Sequence, residues 1–335
     1  MGDRIVVTGG TGVVGSAAVR ALRAQGDHVV SLQRGEAPRW MSDLGVEVVR
    51  GDVTDADAVA RAAAGADGVI HAAARVEITG PWAEFERVNV HGTRTVLDTA
   101  RACGVRRVVV VSSPSVAHAG RALVGAAAEP ADAQRARGSY SRSKAMAETL
   151  ALDCDAEGFA VAAVRPHLVW GVGDTQLTAR IIARARAGRL VIVGSGAALI
   201  DTTYIDNAGT ALAAALARAG DADVRGRAFV VSNGEPRTVT EMLTRIARAA
   251  GAPEPRRHVP YPVARAAGLA LESVWERTDR AGEPPITAFL AEQLATAHWF
   301  DQRTTRQALD WCPEVSLDEG FARLEAHYAG AGSNC

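Results

Sequence analysis

Short unbroken apolar runs recur along the first half of the chain, each closed by a polar or glycine-rich break. They predict buried strands at residues 4–8, 28–33, 46–50, 68–74, 107–111 and 158–165. Between them apolar positions return every three or four residues, which predicts amphipathic helices, among them residues 16–25 and a long one over 82–103. Strand and helix in steady alternation predict an α/β fold, a doubly wound parallel sheet with right-handed crossovers. After Pro166 the rhythm changes. Short strands at 190–193 and 228–231 alternate with helices and Gly/Pro breaks. The expected division is residues 1–166 as the sheet domain. Residues 167–335 then form a smaller lobe, interleaved with the last strands of the sheet.

The first break reads Thr8-Gly9-Gly10-Thr11-Gly12-Val13-Val14-Gly15, between a strand and a helix. Gly9 permits a tight turn, Gly12 lets a pyrophosphate approach the backbone, and Gly15 lets helix and strand pack closely. The helix N-terminus, with Thr11, Val13 and Val14, then faces the phosphates. This is the signature of a Rossmann-type dinucleotide site, which makes the second lobe the substrate side. Ligands in such sheets lie outside the carboxyl ends of the strands. That adds Asp52 and Val53 after the third strand, Ala72, Ala73 and Ala74 after the fourth, and Pro166 after the last. Asp52 reads equally well as an adenine-edge contact or a helix cap. The end of the second strand reads Gln33-Arg34. No carboxylate stands there to repel a 2′-phosphate, and Arg34 can pair with one, so NADP(H) is expected. Glu36 keeps NAD(H) open.

Composition narrows the function further. A net charge of −1, with arginines spread along the chain, argues against nucleic acid as partner. Cys103, Cys154, Cys312 and Cys335 have no metal-ligand or pairing pattern and read as reduced thiols, so no metal site is expected. No apolar run of about 20 residues suggests a membrane span, and a cytoplasmic location is expected. Of 37 lysines and arginines only Lys144 is a lysine. It follows Tyr140 by four residues, so on a helix the ammonium and the phenol share a face. A neighbouring cation lowers a phenol's pKa, which would make Tyr140 a general acid or base near neutrality. Ser112-Ser113-Pro114-Ser115 ends the fifth strand, where a hydroxyl could meet Tyr140. No Gly-x-Ser-x-Gly elbow follows a strand, which disfavours a hydrolase.

Jointly, the glycine loop, the Asp52 turn, His71-Ala72-Ala73, Asn89, Ser112-Ser113, Tyr140-x-x-x-Lys144 and Arg165-Pro166 resemble the extended short-chain dehydrogenase/reductase superfamily. Residues 201–207 and 232–236 resemble its 3β-hydroxysteroid dehydrogenase-type branch. The stretches 114–118, 168–177, 282–285 and 289–299 are similar to bacterial 2-alkyl-3-oxoalkanoate reductases of olefin biosynthesis. The resemblance implies an NADPH-dependent ketoreductase that reduces the 3-keto group of an apolar substrate, most readily a 2-alkyl-3-oxoalkanoic acid. It implies Tyr140 as proton donor, Lys144 as the cation beside it and on the nicotinamide ribose, and Ser113 on the substrate carbonyl, with Ser112 and Ser115 as alternatives. It gives Asn89 a positioning or water-relay role. It also implies a homodimer through the helices carrying Asn89 and Tyr140.

Candidate substrate contacts are Arg75, Ser115, His118, His167 and Trp170, though a structural role competes for both histidines. Arg75, Arg165 and Arg180 are candidates for a substrate carboxylate. Val76, Trp82, Phe85 and Trp170 are candidates for an apolar wall. Residues 261–275 read first as core or dimer surface and second as part of a channel. The alternatives are an NAD(P)-dependent 3β-hydroxysteroid dehydrogenase, a nucleotide-sugar epimerase or dehydratase, and a non-catalytic dinucleotide sensor.

Overall fold

The computed structural model describes residues 2–77, 80–117, 120–278 and 284–332. Seven parallel strands form the central sheet. In space they run Ala228–Val231, Ala160–Pro166, Arg107–Val111, Gly68–His71, Arg4–Thr8, His28–Gln33 and Glu47–Arg50. The strand order reverses between Arg4–Thr8 and Gly68–His71, and the ligand crevice of such sheets opens at that reversal.

Alternate residues of each strand feed opposite faces. Ile5, Val7, Val109 and Val111 join one core cluster, with Leu212 and Leu216 of helix Ile205–Ala217. Val6, Val30, Val108 and Val110 join the other, with Val96 and Leu97 of helix Gly92–Ala102. On the first face, helices Val13–Ala24 and Ile205–Ala217 pack backbone to backbone. A Cβ at Gly209 would lie 2.3 Å from the Ala17 carbonyl oxygen, so only glycine lets them meet. Helices Ala56–Ala63, Gly92–Ala102 and Gly138–Asp153 cover the second face.

The strand Ala228–Val231 comes from the second half of the chain and pairs with Ala160–Pro166. A further core holds Trp170, Ile181, Tyr204, Met242, Ile246 and Phe321. A second sheet joins Arg237–Thr238, Leu199–Ile200, His298–Phe300 and Leu123–Ala126. Its parallel pair His298–Phe300 and Leu123–Ala126 ties the segment before the Tyr140 helix to the C-terminal region. Among the described residues no helix is long and apolar enough to cross a membrane.

Two elements differ from expectation. The fourth strand ends at His71, so Ala72–Ala74 leave the sheet at its carboxyl edge. The long helix over 82–103 is broken into Trp82–Phe85, a π-helical stretch Glu86–His91 and Gly92–Ala102. The widened turn displaces the side chains by one position, and Asn89 sits within it.

Candidate active site

One cleft of about 1050 Å³ runs along the carboxyl ends of the strands and on to helices Leu177–Arg186, Tyr261–Thr278 and Ala288–Ala295. Its inner half is the glycine loop. Gly9 has φ +71°, and a Cβ there would lie 2.8 Å from Ala73 Cα, while one at Gly15 would lie 2.2 Å from the Gly9 carbonyl oxygen. The fold itself therefore requires both glycines. Gly12 differs: a Cβ there would meet only the Gly9 oxygen, at 3.3 Å. It is the N-cap of helix Val13–Ala24, and neither a side-chain cap nor a first-turn acid neutralises that helix end. A bare helix N-terminus opening on a cleft suits the phosphates of a dinucleotide.

Thr11, Val13, Val14, Asp52, Val53 and Arg34 face the same cleft, as do Ala72–Ala74 and Pro166. The end of the second strand carries no acid. Gln33 is buried, with its amide oxygen accepting from Ser31 Oγ at 2.8 Å and its Nε2 donating to the Glu36 carbonyl at 3.2 Å. Asp52 accepts from the Thr54 amide at 3.0 Å and its hydroxyl at 2.9 Å, and Asp55 is the cap of the next helix.

Helix Gly138–Asp153 brings Tyr140 and Lys144 to the cleft wall, and the turn after Arg107–Val111 brings Ser113. Ser113 stands beside the Tyr140 phenol on the cleft wall, and its Oγ lies 2.9 Å from Ser115 Oγ. Lys144 Nζ donates to the Val111 carbonyl at 2.6 Å. Burial pulls the Lys144 pKa down to about 8, with Glu148 opposing. The expected depression of Tyr140 by Lys144 is not what this geometry produces. Burial pushes the phenol up, and the Ser113 hydroxyl only partly offsets it. At neutral pH Tyr140 is therefore a phenol with a proton to give.

Behind this wall lies a hydrogen-bond chain with fixed directions. Thr93 Oγ1 donates to the Asn89 carbonyl at 2.6 Å, so it must accept from His71 Nε2 at 3.0 Å. Burial, aided by the Lys144 charge, pulls the His71 pKa to about 3, so the ring is neutral. Its Nδ1 is then the acceptor from Thr8 Oγ1, at 2.7 Å, and Thr8 Oγ1 in turn accepts the Ala73 amide at 3.2 Å. The Asn89 side chain clasps the Arg75 backbone, accepting from its amide at 2.7 Å and donating to its carbonyl at 3.0 Å, and donates to Ser143 Oγ at 2.9 Å. Asn89 is thus fully engaged in holding the backbone behind the wall and does not line the cleft.

The chain matches the 3-beta hydroxysteroid dehydrogenase/isomerase family over residues 6–262. It belongs to that family. It is 39% identical over 329 residues to a 2-alkyl-3-oxoalkanoate reductase of Stenotrophomonas maltophilia, covering 97% of this chain and 99% of that one. It is 30% identical to a 3 beta-hydroxysteroid dehydrogenase/Delta 5→4-isomerase of Mycobacterium tuberculosis, covering 97% and 90%. In fold it is similar to a dTDP-glucose 4,6-dehydratase double mutant from Streptomyces venezuelae solved with NAD bound, with a TM-score of 0.71, 24% identity and 97% of both chains covered. The protein is an NAD(P)-dependent oxidoreductase of the short-chain dehydrogenase/reductase type.

Within this family member several expected substrate contacts lie elsewhere. Trp170 is fully buried in the core cluster it shares with Phe321 and Tyr204, with Nε1 donating to Thr202 Oγ1 at 3.0 Å. Arg75 turns outward to ion pairs with Glu77 and Glu84. Arg165 is buried in an ion pair with Glu148, and Phe85 is core. Trp82 lies under Arg142, outside the cleft. Ser115, His167, Val76 and Arg180 do face the cleft, and His118 lies outside the described residues. The apolar wall comes from residues not expected there, Leu177, Ile181, Val259, Phe289, Leu290 and Leu294, of which Leu177, Phe289, Leu290 and Leu294 lie in stretches that carry the resemblance. Val263, Ala264 and Ala267 of helix Tyr261–Thr278 join it, so that helix is cleft wall as well as surface. His298 stands beside His167, ring centroids 4.9 Å apart, and also faces the cleft. An apolar pattern at helical spacing on 177–186 and 288–295 was the available signal, but it does not separate a cleft wall from core.

Proposed function

We propose that the protein is an NADPH-dependent ketoreductase that converts the 3-keto group of an apolar 2-alkyl-3-oxoalkanoic acid to the 3-hydroxy acid. The observation that carries this reading is the meeting, in one cleft, of Tyr140, Ser113 and Lys144 with a long aliphatic wall. Bound NADPH supplies the hydride. Ser113 holds the substrate's carbonyl oxygen, and Tyr140, kept protonated by burial, gives its proton to that oxygen as charge develops there. Lys144 supplies a fixed positive charge on the cofactor side of the same wall. The aliphatic wall shelters alkyl chains, and Arg180, Arg184 and Arg189 face the same cleft as candidates for the acid group. NADPH rather than NADH is supported by Arg34 at the cleft and by a second strand that ends without a carboxylate. The aliphatic wall counts against a nucleotide sugar. A homodimer through the helices that carry Asn89 and Tyr140 is part of the proposal and is read by light scattering.

The test is cofactor oxidation with NADPH and NADH in parallel on a 2-alkyl-3-ketoacid, a 3-ketosteroid and simple β-ketoesters, for wild type and Tyr140→Phe. Turnover of the ketoacid with NADPH, lost in the variant, is expected. Turnover of the steroid alone would move the substrate to the hydroxysteroid type. No turnover of any ketone despite cofactor binding would sink the reading.

A further inference from the structure

Lys144 is only 3% exposed. Among the described residues its one hydrogen-bond partner is a carbonyl, that of Val111, which carries no net charge. One turn further along the same helix stands Glu148, 1% exposed. Arg165 of strand Ala160–Pro166, also 1% exposed, grips both carboxylate oxygens, with Nε at 2.8 Å and Nη2 at 2.5 Å. The remaining arm of Arg165 donates to the Glu129 carbonyl at 2.7 Å. Neither residue of this pair faces the cleft, and the proposed chemistry leaves both unused. Desolvating two charges costs about as much as their attraction returns, so stability alone is a poor reason for such a pair.

The titratable groups packed about Lys144 among the described residues are few. Tyr140 and Glu148 lie on its own helix, His71 on strand Gly68–His71, and Arg165 behind Glu148. Tyr140 and His71 are both neutral at pH 7. Glu148, ion-paired with Arg165, is the counter-charge of the set, and Arg165 fixes where it sits.

We propose that Glu148, held by Arg165, is a positioning residue that acts through Lys144: it is the fixed counter-charge that keeps the buried ammonium charged and facing the cofactor side of the cleft. A guanidinium fork that takes both oxygens stops the carboxylate from swinging round and drawing the ammonium off the cleft. The electrostatic influence of Glu148 on Lys144 acts in the required direction, against burial. Only the consequence for cofactor binding rests on the reading of Lys144 given above, because the charge coupling itself is measured on the protein alone.

Because Lys144 is the only lysine, protein grown with [¹³Cε]-lysine gives a single side-chain resonance that needs no assignment. Its titration midpoint is followed by NMR in wild type, Glu148→Gln and the double variant Glu148→Gln/Arg165→Gln. The dissociation constant of NADPH is measured in parallel across the same pH range by fluorescence quenching. The midpoint is expected to fall by about one pH unit or more in Glu148→Gln, and by less in the double variant, which removes both charges. The pH at which NADPH binding weakens should fall with it. A purely structural pair would lower stability and leave the midpoint in place. An unchanged or raised midpoint in Glu148→Gln overturns the proposal, as does a double variant that falls further than the single one. If Glu148→Gln does not fold, the double variant decides alone: a lowered midpoint supports the coupling and an unchanged one overturns it. A lowered midpoint with no ketone turned over would leave the coupling standing and remove only the ketoreductase reading.

Discussion

Acid should destabilise this protein through His71 before most of its carboxylates are touched. The ring is buried and neutral, and its pKa is drawn from an ordinary 6.5 to about 3. In the unfolded chain it takes a proton below about pH 6.5, whereas the folded protein does not. Stability from this residue is thus complete above pH 6.5 and is lost as pH falls toward 3, at about 1.4 kcal/mol per pH unit. Between pH 7.5 and pH 5 the loss is about 2 kcal/mol. Replacing the ring by an isosteric amide removes the titration and leaves partners for both ends. In His71→Gln the amide oxygen accepts from Thr8 and the amide nitrogen donates to Thr93. The substitution should cost about 1–3 kcal/mol at pH 7.5 through imperfect geometry. The measurement is urea unfolding at constant ionic strength at pH 7.5, 6 and 5, for both proteins. The wild type should lose about 2 kcal/mol more than the variant across that range. Equal losses would mean that His71 does not carry the acid sensitivity, and that its neutral, direction-fixed hydrogen-bond chain is misread.

Three further outcomes follow from the site. Gly12→Ala should fold with near-normal stability, because its Cβ meets only one atom, at 3.3 Å, yet bind cofactor poorly by isothermal titration. Arg34→Ser should weaken NADPH by roughly 10–100-fold and leave NADH unchanged, the loss of a charge-assisted contact; equal effects on both would remove Arg34 from 2′-phosphate recognition. Trp170→Ala should lower unfolding stability by about 3–5 kcal/mol while KM for a ketone holds in the folded fraction, since its indole fills core and not cleft.

The sheet was legible because most of its strands are buried on both faces and therefore read as short plain apolar runs closed by glycine or polar breaks. The glycine loop was legible because backbone approach has a residue type of its own. Lys144 stood out against an arginine-rich background. Asn89 was found, but its surroundings were not: a one-residue widening of the helix at 86–91 leaves no trace in a hydrophobic repeat. Trp170 misled because it follows closely on the sheet strand that ends at Pro166, where ligands bind, while Thr202, distant in sequence, captures its indole N–H. Arg75 misled for a similar reason, since Glu84 lies across a loop whose path periodicity does not describe. The aliphatic wall was the least legible part, because its residues come from four separate elements and each looks like core on its own.

The pairing of Leu123–Ala126 with His298–Phe300 has a consequence for the order in which the protein can be made. The segment that leads from the Ser113 turn into the Tyr140 helix has its strand partner about 175 residues later in the chain, and the edge strand beside Ala160–Pro166 also comes from the second half. A nascent chain can form the glycine loop early, but the wall that carries Tyr140 waits until almost all of the polypeptide has left the ribosome. Closing so long a loop is slow, and until it closes the edges of both sheets stand unpaired. Loss of the last fifty residues should thus abolish more than substrate binding: it should leave an aggregation-prone torso whose nucleotide half is present but unsealed.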